Sequence, residues 1–254
     1  MGAGAVGSFF GGMLARAGAP VTLIGRLSHA EAIWAHGLII ESFRFPKPER
    51  IRVDAATGAD AVRGAQIVLL CVKTLDTEAA AQAIAPHLAP GAMVVSMQNG
   101  VDNAGRMRAA SGIDALGAAV YVAAEMVAPG HVKHTGRGDL IVGPFPASNH
   151  DADVIERVAH CFARAGMPCR VAEDIRGSLW MKMLMNCAYN AVSALGRSRY
   201  GRMPARAEIR EIMRHAIEEA RAPRPYRRPR KTSSKRDGNW RKPWATLLPR
   251  RHRT

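Results

Sequence analysis

The sequence predicts an α/β fold built on a parallel sheet and followed by the beginning of an all-α domain. Three observations predict it. A glycine-rich turn, Gly2-Ala3-Gly4-Ala5-Val6-Gly7, leads straight into a helical pattern; two continuous apolar runs, Gln66 to Val72 and Ala92 to Met97, enclose a further helical segment; and the second half is helical. Short apolar runs with β-branched residues read as strands covered on both faces, and strands alternating with helices imply βαβ units.

The first helix is expected over about Val6 to Ala17, ending at Gly18, with a short strand from Val21 to Ile24 closed by Gly25-Arg26. The helix between the two apolar strands runs from about Thr77 to Leu88 and stops at Pro90-Gly91. Ala115 to Gly143 reads as shorter, alternating β segments punctuated by glycines, and Ala152 to Ala165 as an amphipathic helix. Longer helices are expected over about Asp174 to Leu195 and Pro204 to Ala220, which places a domain boundary near Gly166 to Glu173. The expected organisation is a nucleotide-binding domain over 1–168, a partial helical domain over 169–220 and a tail over 221–254.

With 48% hydrophobic and 22% charged residues, the 254-residue chain holds enough apolar material for one large core or two smaller ones, which excludes wholesale disorder. The formal charge of +15 suggests a nucleic-acid binder, but thirteen of the Lys and Arg residues and only one acid, Asp237, fall between Arg221 and Thr254. The body is close to neutral. The tail, dense in Arg, Lys and Pro, is expected to be disordered. Tyr226, Trp240 and Trp244 lie among its bases, where aromatics could stack on bases, yet no folded nucleic-acid motif accompanies them and nucleic acid is not the expected partner. No apolar run approaches the roughly 18 to 20 residues that span a bilayer, and the first residues lack a secretory pattern, so no membrane association and a cytoplasmic location are expected. Cys71, Cys161, Cys169 and Cys187 form no CxxC and are expected to be small buried thiols of a reducing compartment. His131 and His134 form an HxxH without further ligands, read as loop polarity, and no metal site is expected.

The turn Gly2 to Gly7 matches G-x-G-x-x-G, a weak signal alone that gains weight from the helix and strand that follow and points to a Rossmann-type first domain; a flexible N-terminus beside a surface arginine would show the same residues. The first glycine permits the tight turn, the second lets backbone approach a pyrophosphate, and the third allows close helix packing. The helix N-terminus then offers its unpaired N–H groups to the phosphates. Arg26 stands nineteen residues after Gly7, where an NAD enzyme places an acid for the ribose diol; arginine there suits the 2′-phosphate of NADP. A strand is expected ahead of this turn and only Met1 precedes it, so either the true start lies upstream of Met1 or the neighbouring strands carry unpaired N–H and C=O groups and the body is destabilised.

In the helix after the boundary, Lys182, Asn186 and Asn190 fall at i, i+4 and i+8 and share one stripe among apolar residues. Burying an ammonium there is costly without compensation. A keto acid suits the stripe: the ammonium can bond the keto oxygen and supply a proton as hydride arrives, while the amides bind carboxylate and hydroxyl groups. A lysine running out to solvent beside two exposed asparagines would show the same spacing.

From Gly2 to about Ala220 the sequence resembles the ketopantoate reductase (2-dehydropantoate 2-reductase) family. The resemblance is carried by GAGAVGSFFGGMLARAG, VTLIGR, CVKT at Cys71 to Thr74, MQNG at Met97 to Gly100, HTGRG at His134 to Gly138 and KMLMNCAYNAVSALG from Lys182. It implies NADPH-dependent reduction of 2-dehydropantoate to pantoate, on the way to pantothenate and coenzyme A, in a cleft between a Rossmann domain and a helical domain. It also implies roles for particular residues. Gly2, Ala3, Gly4, Ala5, Val6 and Gly7 would cradle the pyrophosphate, and Arg26 the 2′-phosphate. Lys73 would lie near the cofactor and Asn99 beside nicotinamide and substrate. Lys182 would be the catalytic lysine, with Asn186 and Asn190 binding substrate. The family's helical domain continues further, supplying a serine and a glutamate in a stretch like QDxxxGRxTEID; neither is found in Arg221 to Thr254, whose abrupt change of composition suggests an altered reading frame. The expected partner is a small 2-oxo acid, and a homodimer is left open. Three alternatives stay open: a reductase of another 2-oxo acid, an inactive fragment that binds NADPH, and nucleic-acid binding through the tail.

Overall fold

In the computed structural model, residues 1–146 and 148–221 are described. The expectations about the tail beyond Arg221 lie outside the described residues. In chain order the elements are α1 (Ala5–Arg16), β1 (Thr22–Ile24), α2 (Leu27–His36), β2 (Leu38–Ser42), β3 (Glu49–Ile51), β4 (Asp54–Ala56), β5 (Ile67–Leu70), α3 (Thr77–Ile84), β6 (Met93–Ser96), α4 (Asn103–Ser111), β7 (Leu116–Ala128), β8 (His131–Gly143), α5 (Ala152–Arg164), β9 (Cys169–Val171), α6 (Ile175–Gly196) and α7 (Ala207–Arg221). Three-residue 3₁₀ turns flank α3, so the helix expected to reach Leu88 ends earlier, and a longer one, Tyr200–Ala205, precedes α7. None of the described helices is long and apolar enough to cross a membrane.

Among the described residues the strands form two sheets. The larger has the order β3-β2-β8-β7-β6-β5, with β9 also paired to β8, and the smaller is the parallel pair β1-β4. The β5-β6-β7 run is parallel, as the apolar runs predict, but β7-β8 and β2-β3 are antiparallel, so the main sheet is mixed. Ala115 to Gly143 differs from the expected series of short segments: it is one long hairpin of two 13-residue strands. The glycines of β8 bend it without ending it. Arg137 and Gly138 adopt positive φ, and the ladder slips at Tyr121/Val122 and Ala123/Ala124, as β-bulges do. The expected boundary region contributes β9 to the main sheet before α6 begins.

The core lies on both faces of this sheet. One cluster gathers Phe9, Phe10 and Met13 of α1 with Leu38, Leu116, Leu140 and Phe162; Phe10 meets Phe162 edge to face, with centroids 5.9 Å apart. The opposite face buries Val68, Leu70, Ile84, Val94 and Met107 under α3 and α4. Helix α1 keeps three glycines despite their cost in a helix, because it lies hard on the strands: a Cβ on Gly12 would come within 2.5 Å of Leu38 Cδ2. Asp151 and Asp174 cap α5 and α6, each accepting a bond from the backbone N–H two residues on.

Two expectations are corrected. Cys161 and Cys187 are exposed, because they fall on the solvent sides of α5 and α6, and Cys71 and Cys169 are partly buried; all four are free thiols. His134 is no loop residue. It is buried in β8, where Nδ1 pairs with Ser42 Oγ at 2.9 Å, Nε2 with the Arg137 carbonyl at 2.8 Å, and the ring stacks on Phe9 at 4.1 Å. Removing the hydroxyl leaves a buried ring nitrogen unpaired, so Ser42→Ala should lower the unfolding free energy by about 1–3 kcal/mol in urea titration.

Candidate active site

The glycine turn behaves as three different glycines. Gly2 has φ +94°, and a Cβ there would lie 2.7 Å from the Val72 backbone nitrogen, so the turn touches the end of β5. A Cβ on Gly7 would lie 2.2 Å from the Gly2 carbonyl oxygen, which closes the helix onto the turn. Gly4, between them, has open space in every direction within 4 Å. It is the N-cap of α1, with no side-chain cap, so the first N–H groups of the helix point outward without an intrahelical acceptor. The helix end, the φ and the open cradle suit an anionic ligand. Arg26 is exposed at the N-cap of α2, just past Gly25, whose Cβ would meet that of Ala3 at 2.7 Å. The arginine therefore leaves the chain beside the turn.

Lys73 and Asn99 are exposed in the loops after β5 and β6, two adjacent parallel strands. A polar network ties these loops together. Gln98, buried, donates from Nε2 to Thr77 Oγ1 at 2.7 Å and to the Val72 carbonyl at 3.1 Å, while Ser96 Oγ donates to its Oε1. The Asn99 carbonyl accepts from Asn103 Nδ2 at 2.8 Å and from Thr74 Oγ1 at 3.2 Å. The backbone of Asn99 is thus held on both sides. Sequence reasoning singled out Lys73 and Asn99 and missed Thr74, Thr77, Gln98 and Asn103. The quoted motifs CVKT and MQNG contained two of them, Thr74 and Gln98, but the bonds that join one loop to the other span more than twenty residues.

Lys182 points inward. Its Nζ donates to the Val120 carbonyl of β7 and lies 5.7 Å from the Tyr121 ring centroid. Burial lowers its pKa from the ordinary lysine value to about 8, because desolvation penalises the ammonium more than one neutral carbonyl restores. A second cation lies near the same ring: the Arg137 guanidinium sits 4.3 Å from its centroid and is bound to Asp139. One turn before Lys182, Leu179 is buried with Ile175 and Ala119, against Val101 in the loop that follows Asn99. Helix α6 therefore presents Lys182 on the side occupied by the β6 loop.

The stripe expected from spacing lies within the unbroken α6, but its members find different partners. Asn186 is half-buried, and Asn190, exposed, accepts a hydrogen bond from the Tyr200 hydroxyl. Val120, Tyr121 and Tyr200 were missed. A backbone carbonyl carries no sequence signal, and the two tyrosines read as ordinary apolar positions.

Comparison with known proteins places this arrangement. Residues 1–147 match the family model for ketopantoate reductase PanE/ApbA, and residues 174–222 match the model for its C-terminal part. The 2-dehydropantoate 2-reductase of Pyrococcus abyssi is 36% identical over 195 residues, covering 77% of this chain and 62% of that protein. That of Halobacterium salinarum is 35% identical over 201 residues, covering 76% and 63%. The chain thus spans under two thirds of the length of these relatives. A PanE/ApbA family ketopantoate reductase from Ralstonia eutropha JMP134 superposes with a TM-score of 0.76 at 46% identity, over 87% of this chain and 71% of that one. D-mandelate dehydrogenase bound to NADH and anilino(oxo)acetate reaches 0.77 at 20% identity over 86% and 70%, a likeness of fold alone. The glycine turn, the paired strand-end loops and the inward lysine sit within the matched segments, and the chain belongs to the ketopantoate reductase PanE/ApbA family.

Proposed function

We propose that this chain reduces 2-dehydropantoate to pantoate with NADPH. The observation that carries the reading is the orientation of Lys182: its ammonium is turned away from solvent, onto β7, with a pKa near 8 and one exchangeable carbonyl partner. A lysine placed only for solubility would extend outward and keep its ordinary pKa. The family relationship supports the same assignment, as do relatives named 2-dehydropantoate 2-reductase.

The residues fit the cofactor. The turn from Gly2 through Gly7 gives close backbone approach at Gly4 and unpaired N–H groups at the start of α1 for a pyrophosphate. Arg26, exposed beside the turn, suits a 2′-phosphate, and Lys73 at the end of β5 adds positive charge on the side where α/β sheets bind ligands. When bound, the reduced nicotinamide supplies hydride to the keto carbon.

The remaining work belongs to the chain. Lys182 exchanges the Val120 carbonyl for the keto oxygen, stabilises the negative charge that grows there and gives up its Nζ proton to complete the alcohol. Asn99, its backbone pinned by Thr74 and Asn103, would offer its exposed side-chain amide to the substrate. Asn186 and Asn190 offer amides to the carboxylate and hydroxyl groups, Asn190 by releasing the Tyr200 hydroxyl.

The reading is tested by following NADPH oxidation with 2-dehydropantoate and a panel of other branched 2-oxo acids. Lys182→Ala should lower kcat by on the order of 10²-fold or more; an unchanged kcat would remove Lys182 from the reaction, and NADPH binding without turnover in the unaltered chain would leave only the cofactor half of the proposal. Because the donor must carry its proton, kcat/KM should hold below pH 8 and fall as pH rises through about 8, a limb that Lys182→Ala abolishes. In the cradle, Gly4→Ala fills open space and should leave thermal stability near that of the parent while weakening NADPH binding about tenfold or more; Gly7→Ala collides with the Gly2 carbonyl and should cost roughly 1–3 kcal/mol of stability.

A further inference from the structure

We propose that Tyr121 is a positioning residue for Lys182: its ring seats the ammonium against β7 and keeps it there when the Val120 carbonyl is given up. The inference rests on Lys182 being the proton donor proposed above. The Lys182 Nζ bonds the Val120 carbonyl, and that bond is the one released when a keto oxygen arrives. A long, flexible lysine stem would then let the charge swing toward water. An aromatic face attracts a cation without a directional bond, so it holds the ammonium before and after the exchange. The Tyr121 ring centroid lies 5.7 Å from Nζ, inside the roughly 6 Å over which this attraction acts.

The hairpin is built to place this ring. Alternation along β7 puts Val120 in the core cluster that holds Phe9 and Phe10, and turns Ala119 and Tyr121 to the side where Ile175 and Leu179 of α6 pack. The ladder slips between Tyr121 and Val122, and a bulge re-aims the side chain beside it. Asp139 stands directly across the ladder from Tyr121. It accepts from Arg137 Nε at 2.9 Å and Nη2 at 2.7 Å, and the guanidinium fixed in this way lies 4.3 Å from the ring centroid. The charged groups that β8 brings to the ring are thus an ion pair, which adds little net charge beside Lys182.

The backbone of Arg137 carries strain to achieve this. Its φ is +57°, a left-handed conformation that is costly for a residue with a Cβ. Two donors hold it there: His134 Nε2 and Arg44 Nη2 meet the Arg137 carbonyl at 2.8 and 2.9 Å. His134 is itself fixed by Ser42 and by stacking on Phe9. Strain of this kind persists where the surroundings over-determine it, and it gathers at functional sites. The HTGRG segment is therefore a built bend. Its histidine holds the arginine backbone, the arginine holds the tyrosine ring, and the ring seats the lysine.

The test reads Lys182 itself, in the whole chain without cofactor or substrate. Competitive acetylation with acetic anhydride across a pH series, quantified by peptide mass spectrometry, gives the midpoint at which Lys182 loses its proton. In the parent the midpoint should lie near 8. Tyr121→Phe keeps the ring face and should leave it there. Tyr121→Leu keeps the surroundings apolar but removes the face, so the charged form loses support and the midpoint should fall by about half a pH unit or more. Tyr121→Met carries the same expectation if the leucine variant does not fold. With NADPH and 2-dehydropantoate, Tyr121→Leu should also lower kcat about tenfold while KM stays within roughly threefold. A midpoint in Tyr121→Leu equal to or above that of the parent, a Tyr121→Phe variant that behaves like Tyr121→Leu, or an effect on KM alone would each overturn the proposal. A parent without turnover whose Lys182 midpoint still falls in Tyr121→Leu would remove the reductase reading and leave the seating of the lysine in place.

Discussion

The bridge made by Met1, Gly2 and Ala3 between Ile24 on one side and Leu69 with Cys71 on the other is the constraint on which the first half of the chain depends. It holds the β1-β4 pair at the edge of the main sheet and sets the direction in which α1 leaves the turn. Each bond contributes on the order of 1 kcal/mol, but their geometric effect is larger. They fix Gly2 at φ +94°, a conformation that costs a glycine nothing and that other residues rarely adopt. From there the helix starts with its N–H groups facing outward, and Arg26 follows immediately after the strand that anchors the bridge.

The second half of the site rests on a different balance. Lys182 belongs to a helix much of whose surface is exposed, Trp180, Met181 and Met185 included, yet its own ammonium is drawn inward to Val120. Burial penalises the charged amine and pulls its pKa down to about 8. The result is an amine with a proton to give near neutral pH. Position comes from apolar packing: Leu179 and Ile175 lock the start of α6 against β7 and the loop after β6. That loop is in turn fixed by Gln98, whose amide crosses between two strand ends. Neither the lysine nor Asn99 is placed by its immediate chain neighbours.

Local grammar made much of this legible. The spacing of glycines announced the turn, the apolar runs announced β5 and β6, and the helical patterns from Ala152 and from Asp174 announced α5 and α6. The stretch from about Leu27 to Ala65 carried no comparable signal, since its strands are only three to five residues long and α2 has no side-chain cap. The long hairpin was misread for a physical reason: Gly138 falls at a slip of the ladder while Gly136 pairs with Ala123, so cross-strand pairing carries the strand past glycines that usually end one. His134 was misread because its burial depends on Phe9 and Ser42, both distant in the chain.

The amino-acid sequence by itself determined which residue types stand at the start of α1, at the ends of β5 and β6, and at four-residue intervals along α6, because periodicity and turn chemistry act over a few residues. Only the tertiary structure decided that Lys182 turns to β7 while Asn190 turns to Tyr200, that Gln98 joins two loops, and that Gly2 and Ala3 bond to Ile24 beside β5. Those outcomes depend on contacts between residues tens of positions apart, where the competition among burial, backbone pairing and desolvation is settled by the packed whole.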